Sequence, residues 1–256
     1  MRDSTTNRKK QTLYTVTSIM ILTVLWWWAA VWVGKSYILP TPVQALRALF
    51  EVCTSESFFK IISMSMLRVL ICVISSLIVG SLLGVSAGLF EMVEYLLKPT
   101  LLITRTLPTI VIIVYVILWM PSALAPIFVT FLVTFPIVYA NVLEGFKQTD
   151  WRLVEMARLY KVRTSKVVYS IYWPSILPYL RSSVVATTSL GLKIIIASEV
   201  LSQTDDSIGK SFQMAKVNIQ TERVFAWAII TIILALLLDW LMKRLMGRRI
   251  SHGKTL

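Results

Sequence analysis

Charge is scarce in this chain, and the side chains that carry most enzyme chemistry are scarcer. There is one histidine, His252, and it stands alone in a basic tail. The two cysteines, Cys53 and Cys72, have neither metal nor redox spacing. No paired carboxylates mark a site. Gly209-Lys210-Ser211 looks like the end of a phosphate loop, but the earlier glycine that loop needs is Thr204, and no strand precedes it. No catalytic constellation is left, so an enzyme is not expected, and neither is a metal or cofactor site. Charged residues make up only 15% and apolar ones 56%, which excludes an ordinary soluble domain. A net charge of +13 could suggest nucleic acid, but the basic residues fall between apolar runs, so no nucleic-acid partner is expected.

What is present is apolar length. The expected class is all-α: one polytopic membrane domain over residues 1–256 with six spans, about 13–33, 63–90, 101–120, 127–143, 180–201 and 224–241. The first run is too long for a signal-peptide core and lacks a cleavage site, so it is read as a retained helix. Segments 1–12, 91–100, 145–181 and 243–256 hold 17 basic residues, against 6 in 34–62, 121–126 and 202–223. That bias places both termini in the cytoplasm. The inner tail would carry Lys243, Arg244, Arg248, Arg249 and Lys254, and the amino end Arg2, Arg8, Lys9 and Lys10. Trp26, Trp27, Trp28 and Trp32 suit the outer interface.

Several local signals are sharper. Thr41-Pro42-Val43-Gln44 reads as a helix start with a capping box. The apolar stripe after it, Val43, Leu46, Leu49 and Phe50, suits either a docking site for a binding protein or a helix on the bilayer surface, and the second reading is favoured. Ser76, Gly80, Gly84 and Gly88 recur every four residues, a face for close helix packing inside the subunit or between two copies. Arg68 can snorkel outward from its span. Glu91, Glu94 and Lys98 mark a short inner turn. Pro108 and Pro136 should kink or interrupt their helices. Lys193 and Glu199 are charges within a span, each a functional candidate. They stand about 120° apart around a helix and so do not pair with each other. Lys193 is the candidate for a translocation path, meeting either an anionic substrate or a carboxylate on another helix, and a purely structural pairing stands beside that reading; Glu199 is placed near the outer end.

The longest polar interval is 145–179. Asp150 can cap a short helix from Trp151 to about Tyr160, on which Leu153, Ala157 and Tyr160 share a face. Thr164 can cap a second helix from Ser165 to about Tyr172, which Pro174 would end. This stretch resembles the cytoplasmic "EAA" loop of bacterial ABC importer permeases. Its pattern is Glu-Ala-Ala, three residues, glycine, about nine residues, then Ile-x-Leu-Pro. Glu155, Met156 and Ala157 stand at the first three positions, and Ile171 and Pro174 at the isoleucine and proline. Met156, Lys161 and Trp173 replace an alanine, the glycine and the leucine. Without the glycine, the turn after the first helix must be made differently. Leu39-Pro40-Thr41-Pro42, Arg105-Thr106-Leu107-Pro108 and Glu199 followed by Ile208-Gly209 also resemble phrases of this family.

The resemblance covers about residues 35–245 and is nearest the nitrate/sulfonate/taurine type. It implies the permease subunit of an importer in the bacterial inner membrane. Its partners would be a second permease copy (a homodimer), two ABC ATPase subunits inside and an extracytoplasmic substrate-binding protein. Leu153, Glu155, Met156, Ala157, Arg158, Tyr160, Lys161 and Pro174 would couple to the ATPase. Pro108, Pro136, Lys193 and Glu199 would border the path. The cargo would be a small solute, either an anion such as a sulfonate, taurine or nitrate, or a vitamin precursor. Two other classes stand beside this one. An ECF-type coupling subunit would rest on Ala157-Arg158 alone. An ion-driven secondary transporter would call for inverted repeats and several mid-membrane acids, and neither is seen.

Overall fold

The computed structural model describes residues 3–247, with side chains from Leu13 to Met246. His252, Arg248, Arg249 and Lys254 lie outside the described residues, as do the side chains of Arg2, Arg8, Lys9 and Lys10. Every regular element described is helical: α1 (Asp3–Val33), α2 (Pro42–Cys53), α3 (Phe58–Leu89), α4 (Glu91–Thr106), α5 (Thr109–Trp119), α6 (Ala125–Lys147), α7 (Trp151–Leu159), α8 (Thr164–Val167), a π turn (Val168–Tyr172), α9 (Trp173–Ser202), α10 (Ile208–Val217) and α11 (Thr221–Gly247). Among the described residues five helical stretches are long and apolar enough to cross a membrane, and the bent pair α4–α5 can make a sixth.

The chain divides into two compact units, Met1–Phe58 with Ser211–Thr231 and Phe59–Lys210 with Ile232–Leu256. In the first, the capping box forms as the residues require. Gln44 N–H donates to Thr41 Oγ1 at 3.3 Å, and Thr41 N–H to Gln44 Oε1 at 2.9 Å. Trp26 stacks on Phe225 with centroids 5.3 Å apart and donates to the Pro40 carbonyl at 3.1 Å.

In the second unit α6 is central, with α9 packed along it. Val129, Val138 and Val142 are fully buried. The glycine face of α3 lies on α6. A Cβ on Gly80 would come within 2.6 Å of Val138 Cβ, one on Gly84 within 2.9 Å of Val142 Cβ, and one on Gly88 within 2.5 Å of the Phe146 ring. The stripe therefore packs inside the subunit, and contact between copies is not its role. Ser76 and Thr134 hydroxyls, 2.8 Å apart, close the same seam, and Cys72 is buried beside them.

Four local expectations need correction, while the one at Pro108 holds. The turn at Glu91–Lys98 is the first half of α4, a full helix. Pro108 does break the third span: α4 and α5 are bent by 102°. Leu107 takes ψ 132°, as expected where a proline forbids the helical conformation to the residue before it, and Pro108, the N-cap residue of α5, takes ψ 130°. Pro136 does not interrupt α6, which runs unbroken to Lys147. Nor does Pro174 end a helix. Arg163, not Thr164, is the N-cap residue, and helical structure runs from Thr164 through the π turn into α9. Pro174 falls just past the π turn, where the helical hydrogen-bond register changes.

Candidate functional site

The polar interval is built around α7. Asp150 caps it, its carboxylate accepting from Arg152 N–H at 2.9 Å. The far end closes on a Schellman arrangement: Val162 N–H donates to Ala157 O at 2.9 Å and Lys161 N–H to Arg158 O at 3.0 Å. Lys161 takes φ 50°. The turn is thus made in the ordinary way despite the missing glycine, which corrects the sequence expectation. A left-handed conformation costs a β-carbon-bearing residue about 1–2 kcal/mol.

The faces of α7 differ from the sequence assignment. Ala157 is buried in its own subunit, so it offers no surface. Leu153, Met156, Leu159 and Tyr160 are exposed, the last two at 78% each. Glu155, Arg158 and Lys161 are exposed beside them. Behind α7 lies a cavity of about 400 Å³, lined by Phe146, Val154, Glu155, Arg158 and Tyr172 among others. Phe146 and Tyr172 stack at 4.5 Å, joining the end of α6 to the π turn. A Cβ on Gly145 would meet the Tyr179 ring at 2.8 Å and Ile176 Cα at 3.1 Å, so α6 and α9 approach closely on either side of the loop. The helix is capped at both ends, and the pocket behind it is shared with the end of α6 and the π turn. Pro174 is exposed at the start of α9.

Of the four residues assigned to a path, Lys193 stands apart. It is exposed about two thirds of the way along a long apolar helix, and among the described residues it has no hydrogen-bonding or ionic partner. Ala197, Ala186 and Ser182 are exposed on the same face, one, two and three turns away, so this side of α9 carries small side chains where lipid contact would favour bulk. Pro108 lies at the α4–α5 break. Pro136 is buried, and its carbonyl accepts from Arg105 Nη2 at 2.8 Å.

Glu199 is fully buried. It pairs with Arg68 at 2.8 Å, accepts from Ser65 Oγ at 2.9 Å, and takes the Gly209 N–H at 3.2 Å. The carboxylate therefore sits at the amino terminus of α10, where unpaired N–H groups favour an anion. A Cβ on Gly209 would lie 2.4 Å from Glu199 Cβ, which explains the glycine of the Glu199…Gly209 phrase. Glu199 is a structural tie, away from any open surface. Arg68 does not snorkel: it is buried, and it also donates to the Asp205 carbonyl at 3.0 Å. The sequence reading missed this pairing. Its signal was available, since two opposite charges in apolar spans each need a partner. Outside the spans, Lys210 beside Asp205 holds that carboxyl below the usual carboxylate range.

Comparison with known proteins gives consistent results. The family described as "Binding-protein-dependent transport system inner membrane component" matches residues 76–251. The chain is 28% identical over 173 residues to the formylaminopyrimidine transport permease protein ThiX of Halalkalibacterium halodurans, covering 67% of this chain and 68% of that one. It is 25% identical over 201 residues to the nitrate import permease protein NrtB of Synechocystis, covering 72% and 70%. Among solved structures, a bacterial ABC transporter involved in the import of the acidic polysaccharide alginate has a chain of the same fold. Its TM-score is 0.62 at 13% identity, over 95% of this chain and 99% of that one.

Proposed function

The chain belongs to the family of binding-protein-dependent transport system inner membrane components and is the membrane-spanning permease subunit of an ABC importer, and from that premise we propose that α7 is its coupling helix. The supporting observation is the exposed set Leu153, Met156, Leu159 and Tyr160 on a helix stiffened by a cap at each end. An apolar patch beside basic residues on a cytoplasmic loop calls for a partner groove. That partner is an ABC ATPase subunit, one for each of two permease copies, with an extracytoplasmic binding protein on the far side. ATP hydrolysis belongs to the ATPase chain. Both termini of the permease lie inside.

The mechanism follows from how α7 is held. When ATP draws the two ATPases together, each carries its α7 with it. The Phe146–Tyr172 stack and the close Gly145–Tyr179 approach pass that displacement to α6 and α9 together. The passage between the two permease copies then changes the side to which it opens. Glu155, Arg158 and Lys161 set charge complementarity at the edge of the contact.

The cargo is a small anion. Lys193 supports this reading: an unpaired ammonium within a span costs roughly 2.5–3.5 kcal/mol and persists where water or an anionic solute meets it. Sulfonate, taurine and nitrate fit that chemistry. The likeness to a formylaminopyrimidine permease supports a second reading, a heterocyclic vitamin precursor.

The test is a crosslink. Because Ala157 is buried, the cysteine belongs at Met156 or Leu159, with Cys53 and Cys72 replaced, opposite cysteines on the ATPase groove. The expected result is a crosslink in membranes whose yield changes with ATP. Absence of any crosslink with the folded ATPase present overturns the coupling assignment.

A further inference from the structure

Helix α2 divides its surface into three sectors. Ala45, Ala48 and Val52 are buried against the chain. Val43, Leu46 and Phe50 form a second sector and are exposed at 56%, 59% and 72%. Gln44, Arg47 and Glu51 form a third, polar and also exposed. At about 100° per residue the sector centres fall roughly 100° apart from polar to buried and from apolar to polar, with Leu49 and Cys53 filling the apolar side. A helix lying in water against a protein needs two sectors, one apolar and one polar. A third, exposed and apolar, needs a different medium.

The depth of α2 identifies that medium. The segment after Val33 folds back, so that Pro40 O meets Trp26 Nε1 at 3.1 Å. Trp26 lies seven residues before the end of α1, or roughly 10 Å back along the helix axis. Trp27, Trp28 and Trp32 are exposed around this level, and exposed tryptophans gather at the membrane–water boundary. Thr221 Oγ1 donates to Tyr37 O at 2.6 Å, and Arg223 stands 3.9 Å from Glu51, so both ends of the 34–53 segment are held at the start of α11.

We propose that α2 is an interfacial helix of the tryptophan-bearing leaflet, with Val43, Leu46 and Phe50 in the acyl chains of phospholipids and Arg47 at the phosphate level. The partner is the lipid surface itself. Lipid contact is favourable for three large apolar side chains, and a cation at that level meets the phosphates. Such a helix fixes the depth of the α1 and α11 ends against the bilayer. The inference needs only the membrane reading of α1, and not the coupling or anion proposals.

The experiment places single spin-labelled cysteines at Val43, Leu46, Phe50, Gln44, Arg47 and Glu51 of the full chain, with Cys53 and Cys72 replaced. The protein is held in nanodiscs of phosphatidylethanolamine and phosphatidylglycerol. Collision with oxygen, which partitions into lipid, is compared with collision with nickel-EDDA, which stays in water. The expected result is an inversion around the helix: Val43, Leu46 and Phe50 favour oxygen, and Gln44, Arg47 and Glu51 favour nickel. If all six favour nickel, the face lies open to water and the proposal fails. If Val43, Leu46 and Phe50 are shielded from both, a protein covers them and it also fails. A label at Leu22, exposed on α1, must favour oxygen; if it does not, the membrane reading of α1 fails first.

Discussion

Arg68 and Glu199 are 131 residues apart and share one buried carboxylate–guanidinium contact. Replacing one partner of such a pair leaves the other charge buried without compensation, which costs roughly 3–5 kcal/mol. Glu199→Gln is therefore expected to lower the melting temperature of the detergent-solubilised protein sharply, and Arg68→Met with Glu199→Gln together by less than the sum. An additive double variant would mean that the two do not act as a pair. Lys161 makes the opposite case. Its φ of 50° suits glycine, so Lys161→Gly relieves about 1 kcal/mol and is expected to raise the melting temperature slightly. A drop would show that the lysine side chain makes a contact outweighing its backbone cost.

At the scale of elements, the α3–α6 seam is set by absent side chains. Gly80→Ala would force its Cβ to within 2.6 Å of Val138 Cβ and 2.9 Å of the Phe135 carbonyl. Neither atom is the free end of a flexible chain, so overpacking of about 1–3 kcal/mol is expected, read as loss of folded protein in a thermal scan. Unchanged stability would place α3 further from α6. For α7 the useful change is in its surface. Leu159→Asp adds a charge to the exposed patch without touching the interior. Folding is expected to survive, while ATPase binding in detergent falls by tenfold or more. Full retention of binding would remove this patch from the coupling contact.

For the whole molecule, the question is what passes. Lys193→Gln removes the unpaired cation while leaving the α9 packing residues Leu192, Ile194 and Ile195 in place. With an anionic cargo, uptake into proteoliposomes is expected to fall while nucleotide-driven ATPase turnover persists. Lys193→Arg should restore part of it. Equal uptake by Lys193→Gln would favour the uncharged heterocycle. Long-range assembly also separates the two roles that an intramembrane charge can take. Lys193 keeps an open face, whereas Glu199, six residues on and on a different side of the helix, is taken up by Ser65, Arg68 and Gly209.

What the amino-acid order determined by itself is local. Spans follow from apolar length, because a bilayer admits only backbone that satisfies its own hydrogen bonds. The Thr41–Gln44 box, the Asp150 cap and the break at Pro108 follow from groups within four residues of one another, so their geometry needs no third party. The EAA-like spacing carried the family for the same reason: it is a short run read in order. Tertiary structure decided everything that depends on a second element. It turned Ala157 inward and left Met156 and Leu159 outside, because which face of α7 is covered depends on residues distant in the chain. It let Thr164–Ser202 run on through a π turn where Pro174 alone would have ended a helix. It joined Arg68 to Glu199, because the desolvation of two charges is relieved only by a contact that sequence distance hides.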